Sequence, residues 1–261
     1  MVEKRPGNYF VHSVAKAFAV LKAFDACATS MTLGQLEEKT GINKATVRRF
    51  ALTLVDLGYL RLHQGRFFQL TPKTLDLGAH YLESLNLPDL AHPILEKIAT
   101  QVKESTNLAV LDEAEIVYVS RVNAAERIIG ANLRVGSRLP YYATSLGKAL
   151  VAWLPEEERR QVWESATVEA FTDATITDFD ELEAQLEAYR EQGYAEAKNE
   201  LEAGLHSIAA PIFNRKQEPI AAMNISTHTL RTTEAKLKEV FLPVLRIGAE
   251  DLTRQIRYHH G

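Results

Sequence analysis

Residues Thr32 to Leu70 read TLGQLEEKTGINKATVRRFALTLVDLGYLRLHQGRFFQL. Thr32 is a good N-cap for a short helix that buries Leu33 and Leu36. Gly41 falls where that helix ends and the chain must turn, a place that favours a residue tolerant of positive φ. Ile42 is expected to pack under the turn. A second helix is predicted from about Asn43 to Leu57, with Val47, Phe50, Ala51, Leu54 and Leu57 on its inner face. Gly58 closes it. Tyr59–Leu62 and Phe67–Leu70 then read as strands joined by His63-Gln64-Gly65-Arg66, a short glycine-containing hairpin loop. Helix, tight turn, helix and hairpin in that order make a winged helix-turn-helix, which lays its second helix in the DNA major groove.

Working outward, a preceding helix is predicted after Ser13 as its cap, with Val14, Phe18, Leu21 and Phe24 on one apolar face. Lys44, Thr46, Arg48 and Arg49 lie at the start of the recognition helix, where side chains meet bases and phosphates. Thr32, Asn43, His63 and Arg66 complete the candidate DNA contacts, the last two at the hairpin tip. Charge supports this division. Residues 1–70 hold 10 Lys and Arg against 5 Asp and Glu, a net of +5, while residues 71–261 hold 20 against 29, a net of −9. Nucleic-acid contact is therefore expected in the N-terminal part alone.

Thr71-Pro72 opens a linker helix, a capping residue followed by proline at the first helical position. Its stripe of Leu75, Leu82 and Leu85 is expected to pack on the winged helix or on a partner chain, and Leu87-Pro88-Asp89 marks its end. Beyond it, a helix over 89–105 turns Leu90, Ile94, Leu95, Ile98 and Val102 inward. Strands are predicted at Leu108–Leu111, Ile116–Val122, Ile128–Val135, Tyr194–Asn199, Ser207–Phe213 and Ile220–Ser226. Helices are predicted from Thr144 or Ser145 to Leu154, from Pro155, over 180–192, and from Thr233 to Arg257, the last burying Leu237, Phe241, Val244, Leu245, Ile247 and Leu252. Hairpins without regular β-α alternation indicate α+β with an antiparallel sheet. The expected organisation is a DNA-binding domain over 1–70, a linker helix over 71–87 and a larger domain over 88–261.

The Thr144-Ser145 step leading into a helix exposes free backbone N–H groups at the positive end of the helix dipole, which suits a carboxylate. Ser207, Asn224 and Ser226 on adjoining strands offer further hydrogen bonds. Ile128, Ala131, Leu139, Tyr141, Leu146 and Leu205 are the expected apolar walls, and Gly147 of the same helix start is a further candidate effector-binding residue.

Three blocks of the N-terminal part, VHSVAKAFAVLKAF, GINKATVRRFALTLVDLGYL and FFQLTPKTLDLGAHYL, resemble the IclR family of bacterial transcriptional regulators. The resemblance continues through Tyr141–Ala149, Gly204–Phe213 and Ala221–Ser226, and so covers essentially the whole chain. It is nearest to the branch that controls aromatic-acid catabolism through the β-ketoadipate pathway. The resemblance implies a GAF-like effector domain, double-stranded operator DNA as partner, and a homodimer or dimer of dimers. It also implies that the amides of Ser145 and Leu146 hold a small carboxylate, with Ser207, Asn224 and Ser226 lining the pocket. An aromatic acid such as protocatechuate or 4-hydroxybenzoate suits Tyr141 and Tyr142, and a keto acid fits as well. Two departures stand out: Lys198 occupies a step where family members often carry an acidic residue and is expected to face solvent, and Ser207 replaces a cysteine found in some members.

Other classes are disfavoured. No Gly-x-Ser-x-Gly elbow, His-Glu-x-x-His pair, phosphate-cradling loop or dinucleotide fingerprint occurs. His206 and Ser207 are adjacent on a strand and face opposite ways. No catalytic residue, cofactor or metal site is therefore expected. Cys27 is the only cysteine, so no intrachain disulfide forms. No apolar run approaches the roughly 20 residues needed to span a bilayer, the N-terminus lacks a signal-peptide layout, and a cytoplasmic protein is expected. The alternative left open is a constitutive DNA-binding protein whose large domain serves only oligomerisation.

Overall fold

The computed structural model describes residues 9–25, 27–85, 87–123 and 133–259. The chain divides into two compact units, Met1–Ser84 and Leu85–Gly261.

The first unit holds α1 (His12–Lys22), α2 (Leu33–Thr40), α3 (Lys44–Asp56), β1 (Leu60–His63), β2 (Phe67–Leu70), a 3₁₀ turn (Pro72–Leu75) and α4 (Asp76–Leu85). Helix ends follow local chemistry. Thr32 and Gln35 form a reciprocal capping box on α2, and Gly41 closes that helix at φ +65°. Asn43 caps α3 by accepting from the Thr46 amide. β1 and β2 pair antiparallel, Leu60 opposite Leu70 and His63 opposite Phe67, and Met31 adds a bridge to Phe68. Val20, Leu36, Val47, Ala51, Leu54, Leu60 and Phe68 form the core.

Four expectations are corrected here. Ser13 lies inside α1, whose N-cap is Val11 with no side-chain bond. The buried seam of α1 is Val20, Ala23 and Phe24 with Leu21 half-buried, while Val14 and Phe18 are about half exposed. The helix is apolar on two faces, and the core takes the seam that continues into Phe24. Leu57 caps α3 and is exposed, because the helix has ended and the chain is turning toward Gly58. Thr71 makes no cap; its hydroxyl donates to the Gly58 carbonyl. On the linker helix and its lead-in, Leu75 and Leu77 are exposed.

The second unit begins with α5 (Leu87–Val102), so Pro88 falls in the first helical turn, where its missing N–H costs nothing. β3 (Ser105–Asp112), β4 (Glu115–Val122), β5 (Arg138–Pro140), a 3₁₀ turn (Tyr141–Ala143), α6 (Ser145–Val151), α7 (Glu156–Ser165), α8 (Phe179–Gln192), β6 (Ala195–Lys198), β7 (Leu205–Phe213), β8 (Pro219–His228), α9 (Glu234–Lys236) and α10 (Leu242–His259) follow. The sheet is antiparallel throughout, in the order β5-β4-β3-β8-β7-β6. α5 packs on β3 and β4, α10 on β7 and β8, and α6 mainly on β6, β7 and β8. Leu146, Leu150, Leu182 and Leu186 pack with Ile116, Ala209 and Ala222 of the strands.

The third strand among the described residues of this unit is Arg138–Pro140, and residues 133–135 at the end of the expected strand Ile128–Val135 are not in a strand. Gly136 turns at φ +85°, Ser137 ties that turn to the Arg134 amide, and β5 pairs with β4 from Arg138. Residues 128–132 lie outside the described residues. A π turn over Leu237–Phe241 interrupts the final helix. Pro243 follows it and has no N–H to donate to Glu239, so the regular ladder is broken there. Ile247, expected inside, is exposed; Gly248 beside it takes the close approach, since a Cβ there would lie 2.6 Å from Ile98 Cδ1. β6 pairs with β7 only as far as Ala209, so residues 210–213, Pro211 among them, have a paired strand only on the β8 side.

Candidate functional site

In the first unit, α3 presents Lys44, Arg48 and Arg49 to solvent at its N-terminal half, with Thr46 half-buried. The start of α2, the outer face of α3 and the hairpin enclose a cleft of about 440 Å³ that brings Thr32, Lys44, Arg48 and Arg66 together. Arg49 and His63 are exposed outside it. Arg66 lies 4.6 Å over the Phe67 ring, which steadies a long side chain at the tip. Thr32 and Asn43 are engaged as caps, so their side chains position the helices. The Lys44 amide donates to Glu37 Oε1 at 2.8 Å, which fixes the entry of α3 against α2 and leaves the Lys44 ammonium outside.

In the second unit, strand register builds a polar patch. Ser105, Ser226 and Ser207 stand in one row across β3, β8 and β7, and Asn107 pairs with Asn224 in the next. Asn107 Nδ2 donates to Asn224 Oδ1 at 2.7 Å. α6 begins over this patch, and together they enclose a pocket of about 80 Å³. Thr144 caps α6 by accepting from the Gly147 amide at 3.1 Å. The amides of Ser145 and Leu146 precede the helical ladder and have no partner among the described residues.

Buried polar atoms in native structures are almost always hydrogen-bonded. Ser145 Oγ and Asn107 Oδ1 are buried here with no partner among the described residues. Both residues line the pocket. Tyr118 also lines it; burial pushes its phenol up to about 12, so it remains a protonated donor at neutral pH. Arg121 and Arg231 supply positive charge along the pocket's lining. Arg231 is held by Glu104 at 2.7 Å, and burial raises the Glu104 carboxyl against the opposing pull of Thr227 and Arg231.

Of the residues expected from sequence, Ser145, Leu205, Ser207, Asn224 and Ser226 meet at this pocket. Leu139, Tyr141, Leu146 and Gly147 do not line it. Leu139 packs against the hydrophobic core and Tyr141 and Leu146 are fully buried in it. Gly147 is needed for packing, because a Cβ there would lie 2.3 Å from Tyr141 Cα. Ile128 and Ala131 lie outside the described residues. Lys198 is exposed, as expected. Sequence reading missed Ser105, Asn107, Tyr118, Arg121 and Arg231. The signal was there for the first two: polar residues two apart at the head of an apolar strand share one face. Among the described residues no group of three His, Cys, Asp or Glu side chains is placed to hold a metal ion.

A winged helix-turn-helix joined to a domain with a polar, cation-lined pocket is the build of a DNA-binding transcriptional regulator. Residues 13–63 match the IclR helix-turn-helix domain and residues 79–254 match the bacterial transcriptional regulator IclR C-terminal domain. The chain belongs to the IclR family. It is 39% identical over 247 residues to the Pca regulon regulatory protein of Pseudomonas putida, covering 95% of this chain and 84% of that protein. It is 34% identical over 247 residues to the p-hydroxybenzoate hydroxylase transcriptional activator of Acinetobacter baylyi, covering 93% and 91%. An IclR homologue from Microbacterium hydrocarbonoxydans, solved in complex with 4-hydroxybenzoate, superposes with a TM-score of 0.82 at 25% identity, over 94% of this chain and 98% of that one. No helix among the described residues is long and apolar enough to cross a membrane.

Proposed function

We propose that this regulator is switched by a small organic acid, aromatic by the analogy of its relatives, bound between α6 and the β3–β8–β7 patch. The observation that carries this reading is the convergence of unpartnered polar groups on the residues of one pocket: the Ser145 amide, Ser145 Oγ and Asn107 Oδ1, with the Leu146 amide next in the chain. A carboxylate at the start of α6 satisfies the amides and meets the favourable end of the helix dipole. Ser207, Asn224 and Ser226 then read the polar substituents of the acid. Lys44, Arg48, Arg49 and Arg66 contact the operator, and the acid acts by favouring one placement of the two units over another. The protein works in the cytoplasm as a homodimer or dimer of dimers, by binding and not by catalysis. The domain organisation that serves this is a DNA reader over 1–70, a linker helix, and an effector domain to the C-terminus.

The test is a gel shift on the DNA upstream of the protein's own coding region, with and without a panel of aromatic and dicarboxylic acids. One acid is expected to change a specific shift. Arg48→Ala is expected to weaken operator binding about tenfold or more, the value of one good base contact, with effector binding intact. Ser207→Ala is expected to weaken the acid several-fold, the scale of one hydrogen bond, with operator affinity in its absence unchanged. A shift indifferent to every acid refutes the switch and leaves a constitutive binder. Equal loss of both activities in either variant refutes the assignment of that residue.

A further inference from the structure

The effector domain is acidic, yet one cleft in it is basic. It lies between the end of α8, the outer face of α10 and the last residues of β7, with a volume of about 790 Å³, against about 80 Å³ for the pocket under α6. Arg190, Arg246, Arg254 and Arg257 line it, against the single carboxylate of Glu250. Arg254 is answered by Asp251 at 3.0 Å. Arg246 donates to the Gln192 carbonyl and so offsets the negative end of α8, which would otherwise repel an anion there. Arg190 and Arg257 have no carboxylate within 4.0 Å among the described residues. Arg257 Nε is also buried without an acceptor among them, the kind of unmet donor that a ligand oxygen satisfies.

The same cleft has an aromatic side. Trp153 and Phe213 meet edge to face with ring centroids 6.0 Å apart, and both are only half-buried. Guanidinium groups bind phosphate oxygens in paired, forked geometry, and half-exposed aromatic rings accept a planar base. The volume falls within the roughly 300–1,000 Å³ usual for small-molecule sites. We infer that this cleft is a second ligand site, for a metabolite carrying a nucleoside diphosphate: phosphates on Arg190, Arg254 and Arg257, base against Trp153 and Phe213. The site is separate from the acid pocket, although both include residues of β7, Ser207 in one and Phe213 in the other.

Free nucleotides and coenzyme A thioesters share this chemistry, and titration of the full chain with each separates them. ADP, acetyl-coenzyme A, adenosine and inorganic pyrophosphate are titrated by calorimetry and by tryptophan fluorescence. ADP or acetyl-coenzyme A is expected to saturate at one per chain, and the tighter of the two names the source. Its fluorescence change is expected to vanish in Trp153→Phe and persist in Trp163→Phe. Arg190→Glu with Arg254→Glu, both exposed and checked for folding by circular dichroism, is expected to weaken binding at least tenfold, and Ser207→Ala to leave it unchanged. No saturable binding of either ligand overturns the inference. Binding that survives the charge reversal, that falls in Ser207→Ala, or that pyrophosphate alone matches also overturns it.

Discussion

Gly147 shows how much one missing methyl group can decide. A Cβ at that position would lie 2.3 Å from Tyr141 Cα and 2.4 Å from Tyr141 O, both backbone atoms that no rotamer change can move. Gly147→Ala therefore forces the start of α6 away from the preceding 3₁₀ turn. Its expected cost is about 1–3 kcal/mol in urea unfolding, the range of overpacked cores, with acid affinity lost as the Ser145 and Leu146 amides move. At this scale the sequence was partly legible. Ser145, Ser207, Asn224 and Ser226 could be named because polar residues on adjoining strands and a Thr-Ser helix start carry their chemistry openly. The roles of Gly147 and Tyr141 could not, since they depend on how closely two chain segments approach. Arg121 and Arg231 were equally hidden, because charged residues near loops look alike until the fold places them.

At the scale of elements, α6 is held from beneath by a buried ion pair. Lys148 Nζ meets Glu200 Oε2 at 2.5 Å and Gln185 Oε1 at 2.6 Å, which ties α6 to α8 and to the turn before β7. Burial pushes the Lys148 ammonium down and the Glu200 carboxyl up, each opposed by its partner. Removing one member leaves the other buried and alone, which typically costs about 3–5 kcal/mol, whereas removing both is often nearly neutral. Lys148→Met is thus expected to lower urea stability by about 3 kcal/mol or more, and Lys148→Met with Glu200→Leu to recover most of it. Failure of the double variant to recover would mean that the pair adds net stability. Element positions were well read at Thr32, Gly41 and Asn43, where a cap or turn residue fixes the end. They were misread where two apolar faces competed, as on α1, and over residues 133–135, where the chain runs into the Gly136 turn.

For the whole molecule, the surface of the DNA-binding unit carries the next consequence. Tyr9, Phe10, Val11, Val14 and Phe18 are exposed together around the start of α1. Contiguous apolar patches on a monomer commonly mark an association surface, and a second copy of this chain is the occupant that a two-fold operator calls for. Val14→Glu with Phe18→Glu is expected to sediment as a monomer at concentrations where the parent chain is a dimer, and to bind operator DNA at least tenfold more weakly. A variant that still sediments as a dimer places the association surface elsewhere. The contrast in charge between residues 1–70 and 71–261, +5 against −9, was legible in the sequence. The basic cleft within the acidic part was not, because its arginines come from sequence positions as far apart as 190 and 257.

Pro211 carries a last consequence. It lies where β7 continues beyond the end of β6, a stretch paired on one side only. An unpaired strand margin is a template on which another chain's strand can be laid, the first step toward fibrous aggregates. Proline withholds the N–H such a strand would need, and the neighbouring arginines set like charge against like on an approaching second copy. The opening in the sheet that makes room for a ligand is in this way closed to self-propagation.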